Sequence, residues 1–87
     1  MRAVITVIGR DRVGILANVS GVCAESNANV IEVTQSVLQE FFSMVMLMDI
    51  SSMNCKLEEL KNKLDGTVQD MEIHVMHEDI FNSMHRI

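Results

Sequence analysis

Apolar positions recur along this chain with two different periods, which together predict strands and helices. Arg2–Ile8 is short, apolar and rich in β-branched residues, as is typical of a buried strand. A helix is predicted at Val13–Ser26, and its apolar face consists of Ile15, Leu16, Val19, Val22 and Cys23. The remaining predicted segments are strands at Val30–Leu38, Phe41–Ile50 and Val68–His77, and helices at Cys55–Leu64 and Asp79–His85. The predicted order is therefore βαββαβ, followed by a short C-terminal helix.

This order is typical of the ferredoxin-like sandwich, an α+β fold. A helix joins the first two strands, so we expect them to run parallel, whereas the tight turn Gln39–Glu40 joins the second and third as a hairpin. We expect a four-stranded antiparallel sheet with the first and third strands in its centre and two helices on one face. No linker interrupts the chain, so residues 1–87 are expected to form a single domain.

The ends of the helices have their own signals. Asn27 or Asn29 can close the first helix, because asparagine tolerates the left-handed conformation. Gly66 is expected to stop the second helix. Three residues offer side-chain oxygens to cap the start of that helix: Ser51, Ser52 and Asn54.

Both faces of the third strand are apolar, which predicts that the helix-free side of the sheet is covered. One face carries Phe42, Met44, Met46, Met48 and Ile50, and the other carries Phe41, Val45 and Leu47 together with Ser43 and Asp49. Apart from the short tail helix, no remaining segment of the chain is long enough to cover the second face. We therefore expect a homodimer that forms through sheet faces, edge strands or both.

Composition excludes several classes of protein. The net charge of −5 argues against a nucleic-acid partner, and the absence of Trp and Tyr leaves few platforms for base stacking. No apolar run approaches the length of a membrane span. Cys23 and Cys55 form no CxxC pair, so we interpret them as reduced thiols of a cytoplasmic protein. His74 and His77 point to opposite faces of a strand, and no metal site or cofactor is predicted.

The loop Gly9–Gly14 between the first strand and the first helix is the best candidate for a ligand site. The first N–H groups of a helix lack partners within the helix, and the helix dipole makes that end positive. A carboxylate or phosphate suits such a place. The glycine spacing matches neither a Walker A loop nor a G-x-G-x-x-G motif.

The chain resembles the ACT domain along its whole length. The resemblance rests on Thr6–Leu16, Val19, Ala24–Glu25 and Asn27–Ile31. ACT domains are ferredoxin-like modules that bind amino acids and regulate metabolic enzymes. Small stand-alone ACT proteins and the amino-terminal module of glycine-cleavage regulators are the most similar. Val13 stands where many ACT domains carry proline, a residue that suits the first position of a helix.

The resemblance implies a ligand site shared between two copies. Its residues would be Asp11, Arg12, Val13, Gly14, Ile15 and Leu16 of one copy, and Asn29, Val30 and Ile31 of the other. In similar dimers the second segment of one subunit faces the loop of its partner. Asp11 would then receive the ammonium group of the ligand. The alternative interpretation of Asp11 is an N-cap of the first helix, which needs no ligand.

The first hypothesis is therefore a homodimeric, non-catalytic sensor of an amino acid, which acts on a separate enzyme or regulator. A second hypothesis is an acylphosphatase-like hydrolase that holds phosphate with Arg10 or Arg12, although solvation is the more common role of loop arginines. The hairpin lacks the asparagine that such enzymes use. A third is a structural interaction domain without a ligand.

Overall fold

The computed structural model describes residues 1–84, which form four strands and three helices in the predicted order. The strands are β1 (Arg2–Arg10), β2 (Asn29–Leu38), β3 (Phe41–Asp49) and β4 (Met71–His77), and the helices are α1 (Ile15–Glu25), α2 (Leu57–Thr67) and α3 (Glu78–Met84). They confirm the ferredoxin-like fold. His85, the last residue of the predicted tail helix, lies outside the described residues.

The strands form one sheet in the order β2-β3-β1-β4, and all three neighbouring pairs are antiparallel. The central position of β1 and β3 is therefore confirmed. β1 and β2 run in the same direction, as expected for strands joined by a helix, but β3 lies between them. The core fills the space between the sheet and the helices α1 and α2. Its largest fully buried side chains include Ile5, Met44, Met46, Met48, Leu60 and Leu64.

Helix α1 begins two residues later than predicted. β1 continues to Arg10, opposite Phe41, so the chain leaves the sheet only at Asp11. Gly14 has φ 89° and is the N-cap of the helix. This left-handed conformation is unfavourable for residues with a Cβ atom. The predicted helix start at Val13 is therefore wrong, and so is the N-cap interpretation of Asp11.

Helix α2 is displaced at both ends relative to the prediction. It starts at Leu57 with Lys56 as an N-cap that makes no side-chain bond. The Asn54 side chain donates instead to the carbonyl oxygen of Glu25 at 3.0 Å, so it connects the α2 entry to α1. Gly66 lies within the helix and does not stop it.

Two short turns complete the frame. Asn27 has φ 58° and closes α1, as predicted. β4 begins at Met71 rather than at Val68, because residues 68–70 form a turn in which Asp70 has φ 63°. The side chain of Val68 is nevertheless buried in the core.

The tail helix α3 folds over the helix-free face of the sheet. Its Phe81 lies beside Val4 and Leu47, and Val4 is only 4% exposed. Arg2 fixes the start of α3, because its Nε donates to Glu78 Oε1 at 3.1 Å and its Nη2 bonds the other carboxylate oxygen. The chain therefore covers part of this face itself, which weakens the case for a dimer built on stacked sheets.

The end of β3 supplies a pH-dependent contact. Asp49 Oδ1 accepts the backbone N–H of Ser51 at 2.9 Å, and this bond lowers the pKa of Asp49. A carboxyl group with a lowered folded pKa stabilises the fold above its unfolded pKa, and loses this contribution as the pH falls through the folded pKa. We expect the thermal midpoint to fall below about pH 4 more steeply for the wild type than for Asp49→Asn. Parallel curves between pH 7 and pH 2.5 would contradict this assignment.

Candidate functional site

The loop between β1 and α1 presents free backbone donors at the start of the helix. The N–H of Asn18 donates to the carbonyl oxygen of Gly14 at 2.9 Å, which is the first bond of the helix. No side chain within residues 1–84 caps α1. The N–H groups of Ile15, Leu16 and Ala17 therefore point out of the helix without a partner in it. Ala17 is a donor that the sequence analysis missed, because it placed the start of the helix too early.

The surroundings of these donors leave them open to a small anion. Gly14 has no side chain, and Val13 is fully exposed. Ile15 is buried in the core, so it anchors the start of the helix and contributes only its backbone N–H. The positive end of the helix dipole adds to the attraction. The geometry suits a carboxylate or a phosphate oxygen.

Gly14 is the residue on which this geometry depends. We expect Gly14→Ala to lower the stability by about 1–2 kcal/mol, the cost of the left-handed conformation for a residue with a Cβ atom. Gly66→Ala is the matched control, because an added Cβ there meets nothing within 4 Å and alanine favours the helix. Thermal denaturation should therefore show a lower midpoint for the first variant and a higher one for the second. Equal midpoints would show that the loop relaxes freely around position 14.

Asp11 joins this loop to the β2–β3 hairpin. Its N–H donates to the carbonyl oxygen of Glu40 at 2.8 Å, whereas its exposed carboxylate has no ion pair or hydrogen bond within the described part of the chain. Glu40 brings a second carboxylate to the adjacent turn, and the sequence analysis missed it. The register of the central strands is the signal that locates Glu40, since Arg10 faces Phe41. Amide donors and carboxylates at one end of the sheet suit a zwitterion.

Arg12 is already engaged by the protein. Its Nη2 donates to the carbonyl oxygen of Gln69, and its Nη1 lies 3.8 Å from Asp70 Oδ2. Gly9 permits the close approach of the same turn, because a Cβ atom there would lie 3.1 Å from the carbonyl oxygen of Asp70. Arg12 thus connects the loop to the turn before β4. Contact with a ligand through its guanidinium would require this connection to break.

The second predicted segment, Asn29–Ile31, lies at the other end of the sheet. Asn29 pairs with Asp49, which in turn pairs with Arg2 at the start of β1. Nine residues of β1 separate that end from Asp11, a distance of about 30 Å at the rise of a strand. One chain therefore does not bring the two predicted halves of the site together.

The strand that carries this segment is an exposed edge. Every residue of β2 except Val33 is exposed, and a β-bulge at Ile31 interrupts its register with β3. Val37 is 55% exposed and lies on the same sheet face as α1 and α2, because it pairs with the buried Phe42. Apolar edge strands of this length are prone to pair with another chain. Val33 packs against the core, whereas three further apolar side chains of β2 are exposed: Val30, Ile31 and Leu38.

The rest of the described chain offers little reactive chemistry. Cys23 is buried in the core, and this burial raises the pKa of its thiol to about 11, which disfavours the reactive thiolate. Within residues 1–84 there is no group of three side chains suited to hold a metal ion. None of the helices described is long and apolar enough to cross a membrane.

Comparisons with known proteins agree with this architecture. A family model described as the ACT domain matches residues 2–78. A UPF0237 protein of Listeria monocytogenes is 45% identical over 89 residues, with all of both chains covered. An ACT domain protein from Streptococcus pneumoniae shares the fold with a TM-score of 0.76 at 34% identity, and the match covers 98% of each chain.

A larger protein contains a similar module. A structure described as a glycine cleavage system transcriptional repressor matches 85% of this chain and 43% of its own, at 25% identity and a TM-score of 0.71. The family match spans most of the chain, and the curated relative matches it from end to end. ACT domains are regulatory modules that bind small molecules. This chain belongs to the ACT domain family.

Proposed function

We propose that two copies of this chain form a homodimer that binds a free amino acid between them and acts as a regulatory module without catalytic activity of its own. The observation that carries the proposal is the uncapped start of α1, which no side chain within residues 1–84 occupies. The protein would be cytoplasmic, in keeping with its two free thiols.

The ligand would be held at both of its charged ends. Its α-carboxylate accepts hydrogen bonds from the amides of Ile15, Leu16 and Ala17. Its ammonium group donates to Asp11 of the same copy and to the side-chain oxygen of Asn29 of the other copy. The side chain of the ligand lies toward the exposed Leu16, and selectivity among amino acids would arise there.

Antiparallel pairing of the two β2 edges would complete the site. In such a pair, the Asn29 end of one strand lies beside the Leu38 end of the other. Leu38 borders the turn that contains Glu40, and the Glu40 carbonyl oxygen is bonded to Asp11. The pairing would also bury the exposed apolar residues at the two ends of β2 against each other. The 30 Å separation within one chain becomes a short distance between chains.

Ligand binding would regulate by stabilising the dimer. A ligand that contacts both copies favours the associated state by mass action. The dimer, rather than the monomer, would then act on a separate enzyme or regulator. The similar module in a protein described as a transcriptional repressor is in keeping with an output of this kind.

Two observations weigh against the other hypotheses. A purely structural domain is expected to cap the start of α1 with its own side chains, and none does so in residues 1–84. An acylphosphatase-like enzyme needs a free loop arginine for the phosphate and an asparagine on the hairpin. Arg12 is bound to Gln69 and close to Asp70, which leaves Arg10 for the phosphate, and the hairpin lacks the asparagine.

Thermal denaturation in the presence of each of the twenty amino acids tests the proposal. A ligand present at 100 times its dissociation constant stabilises by about 2.7 kcal/mol, which amounts to a rise of roughly 10 °C or more in a domain of this size. We expect such a rise for one amino acid or a small related group. A flat response to all twenty, with the dimer intact in sedimentation, would overturn the proposal.

A further inference from the structure

Helix α3 covers one end of the helix-free face of the sheet, and the other end of that face is exposed and apolar. Ile8, Leu38 and Phe41 lie there, at strand positions that alternate with core positions, and are 49%, 73% and 54% exposed. Phe41 pairs with Leu38 on β2 and with Arg10 on β1, two residues beyond Ile8, so the three apolar side chains are neighbours. Contiguous apolar side chains of this kind mark a surface that binds a partner. Ile8, Leu38 and Phe41 are called the open patch below.

A recess lies between the open patch and α3. Its volume is about 410 Å³, which gives room for large apolar side chains. Ile8, Val45 and Met76 from the strands and Met84 from α3 contribute most of its apolar lining. Methionine side chains adapt to apolar groups of different shapes. One face of the chain therefore carries both an exposed hairpin end, with Phe41 on it, and a recess beside it.

A protrusion and a recess on the same face suit a second copy of the chain. A two-fold axis that runs across the strands, between two stacked sheets, reverses the strand direction of the second copy. On β3, Ser43 lies two residues from Phe41 and two residues from Val45, and it pairs with Ile8. With the axis at this row, Phe41 of each copy lies over Val45 of the other and enters its recess. The same contact therefore forms twice.

Charged residues at the rim of the open patch are complementary under the same symmetry. The guanidinium of Arg10, at the end of β1, has no ion pair or hydrogen bond to any of residues 1–84. Glu72 pairs with Ile8 on the neighbouring strand β4, and its carboxylate also lies 3.5 Å from His74. The two-fold axis brings Arg10 of each copy toward Glu72 of the other, and a carboxylate accepts several hydrogen bonds. Exposed charge pairs of this kind fix the register of two copies more than they add affinity.

The size of the overlap predicts a weak contact. α3 occupies one end of the face, so a second copy can cover only about half of it. The molecule measures 35 × 34 Å along its two longest axes. Half of a face of that size provides roughly 600 Å² per copy, compared with about 800 Å² in a standard stable interface. Two copies that meet only through this face would therefore associate weakly.

We propose that the open patch and the recess form a second self-association surface. Two copies bind through it face to face, and each inserts its hairpin end into the recess of the other. This surface is distinct from the β2 edge of the proposed function, because Val37 pairs with the buried Phe42 and so faces the helices. Together, the edge contact and the face contact would join two dimers into a tetramer.

Isotope-filtered NMR tests the face contact directly. The sample is an equimolar mixture of ¹³C-labelled and unlabelled chain at about 0.5 mM, a concentration at which a weak contact is populated. We expect nuclear Overhauser effects between copies that join the Phe41 ring to the methyl groups of Val45 and Met84. Dilution should shift the amides of Ile8 and Ser43, which lie at the two-fold axis.

Phe41→Glu should weaken the face contact at least about 100-fold, because each contact contains the substitution twice and loses apolar burial at both places. Glutamate is tolerated within one chain, since position 41 is half exposed and faces Arg10, and an unchanged thermal midpoint in dilute solution verifies this. Val37→Glu is the matched control on the same hairpin. Its face contact should stay within about twofold of wild type, so sedimentation should detect monomers that pair only at high concentration.

Two results would overturn the proposal: an absence of Overhauser effects between copies, and equal self-association of Phe41→Glu and the wild type. If removal of residues 85–87 moves the amides of the recess and dilution does not, the end of the same chain occupies the recess and the proposal is wrong. A flat amino-acid screen with the face contact present would overturn the proposed function and leave this contact standing.

Discussion

Val37→Glu is expected to separate the proposed dimer into monomers, with a dimer dissociation constant at least about 100-fold higher. Val37 is 55% exposed near the end of the edge strand β2, so a monomer tolerates glutamate there. In a symmetric pair the change occurs twice, and each copy loses about 1.5 kcal/mol or more of apolar burial. A loss of about 3 kcal/mol corresponds to roughly a 100-fold change. Sedimentation velocity over a range of concentrations measures it.

Ile8→Glu is the matched control for this experiment. Ile8 is also a β-branched strand residue and is 49% exposed, but it lies on a central strand and on the helix-free face. Edge pairing predicts that Ile8→Glu leaves the dimer intact. If Ile8→Glu separates the dimer and Val37→Glu does not, the copies associate through their sheet faces instead.

Asp11→Asn is expected to weaken binding of the amino acid by about 10- to 100-fold. A hydrogen bond to a charged partner is worth about 1.5–3 kcal/mol, and the substitution removes the charge while keeping the shape. The side chain is exposed and has no other partner within residues 1–84, so the fold should be unaffected. Calorimetric titration with the amino acid that stabilises the wild type most provides the measurement.

Glu40→Gln distinguishes a specific contact from a general effect of negative charge. Glu40 lies on the turn whose backbone is bonded to Asp11, so the same charge is removed close by. We expect its effect on affinity to be less than about threefold, typical of an exposed charge without a direct bond. If the affinity of Asp11→Asn is within twofold of wild type, Asp11 does not receive the ammonium group.

The fold was predictable because its signals are local and repeated. Met44, Met46 and Met48 alternate along β3 and all three are buried, so the periodicity alone identifies the inner face of this strand. Asn27 adopts the left-handed conformation that its residue type favours. These features depend on neighbours in sequence and need no knowledge of distant contacts.

The errors arose where a distant contact decides the local structure. Val13 was the predicted first residue of the helix, but β1 extends along β3 to Arg10 and α1 begins only after Gly14. Asn54 is a good N-cap residue by type, yet its side chain bonds Glu25, 29 residues away. Neither contact is visible in the local pattern.

The candidate site was likewise predictable only where its features are local in sequence. The free amides at the start of α1 follow from the order strand, glycine turn and helix, so sequence reasoning identified the region. Arg12 is bonded to Gln69, which lies 57 residues away in the chain, so this contact was not predictable from the loop sequence. The separation of Asn29 from Asp11 depends on strand order, which shows that the two predicted halves belong to different ends of one subunit.

A mixing experiment tests most directly whether two copies share each binding site. Asp11→Asn and Asn29→Ala are prepared separately, each with a weakened site, and are then mixed in equal amounts and allowed to exchange subunits. In a mixed dimer one site carries both substitutions and the other carries neither. A shared site therefore predicts that about a quarter of all sites regain wild-type affinity, since half of the dimers are mixed. If calorimetry finds no recovery after subunit exchange has been verified by mass spectrometry, each site lies within one chain and the account is wrong.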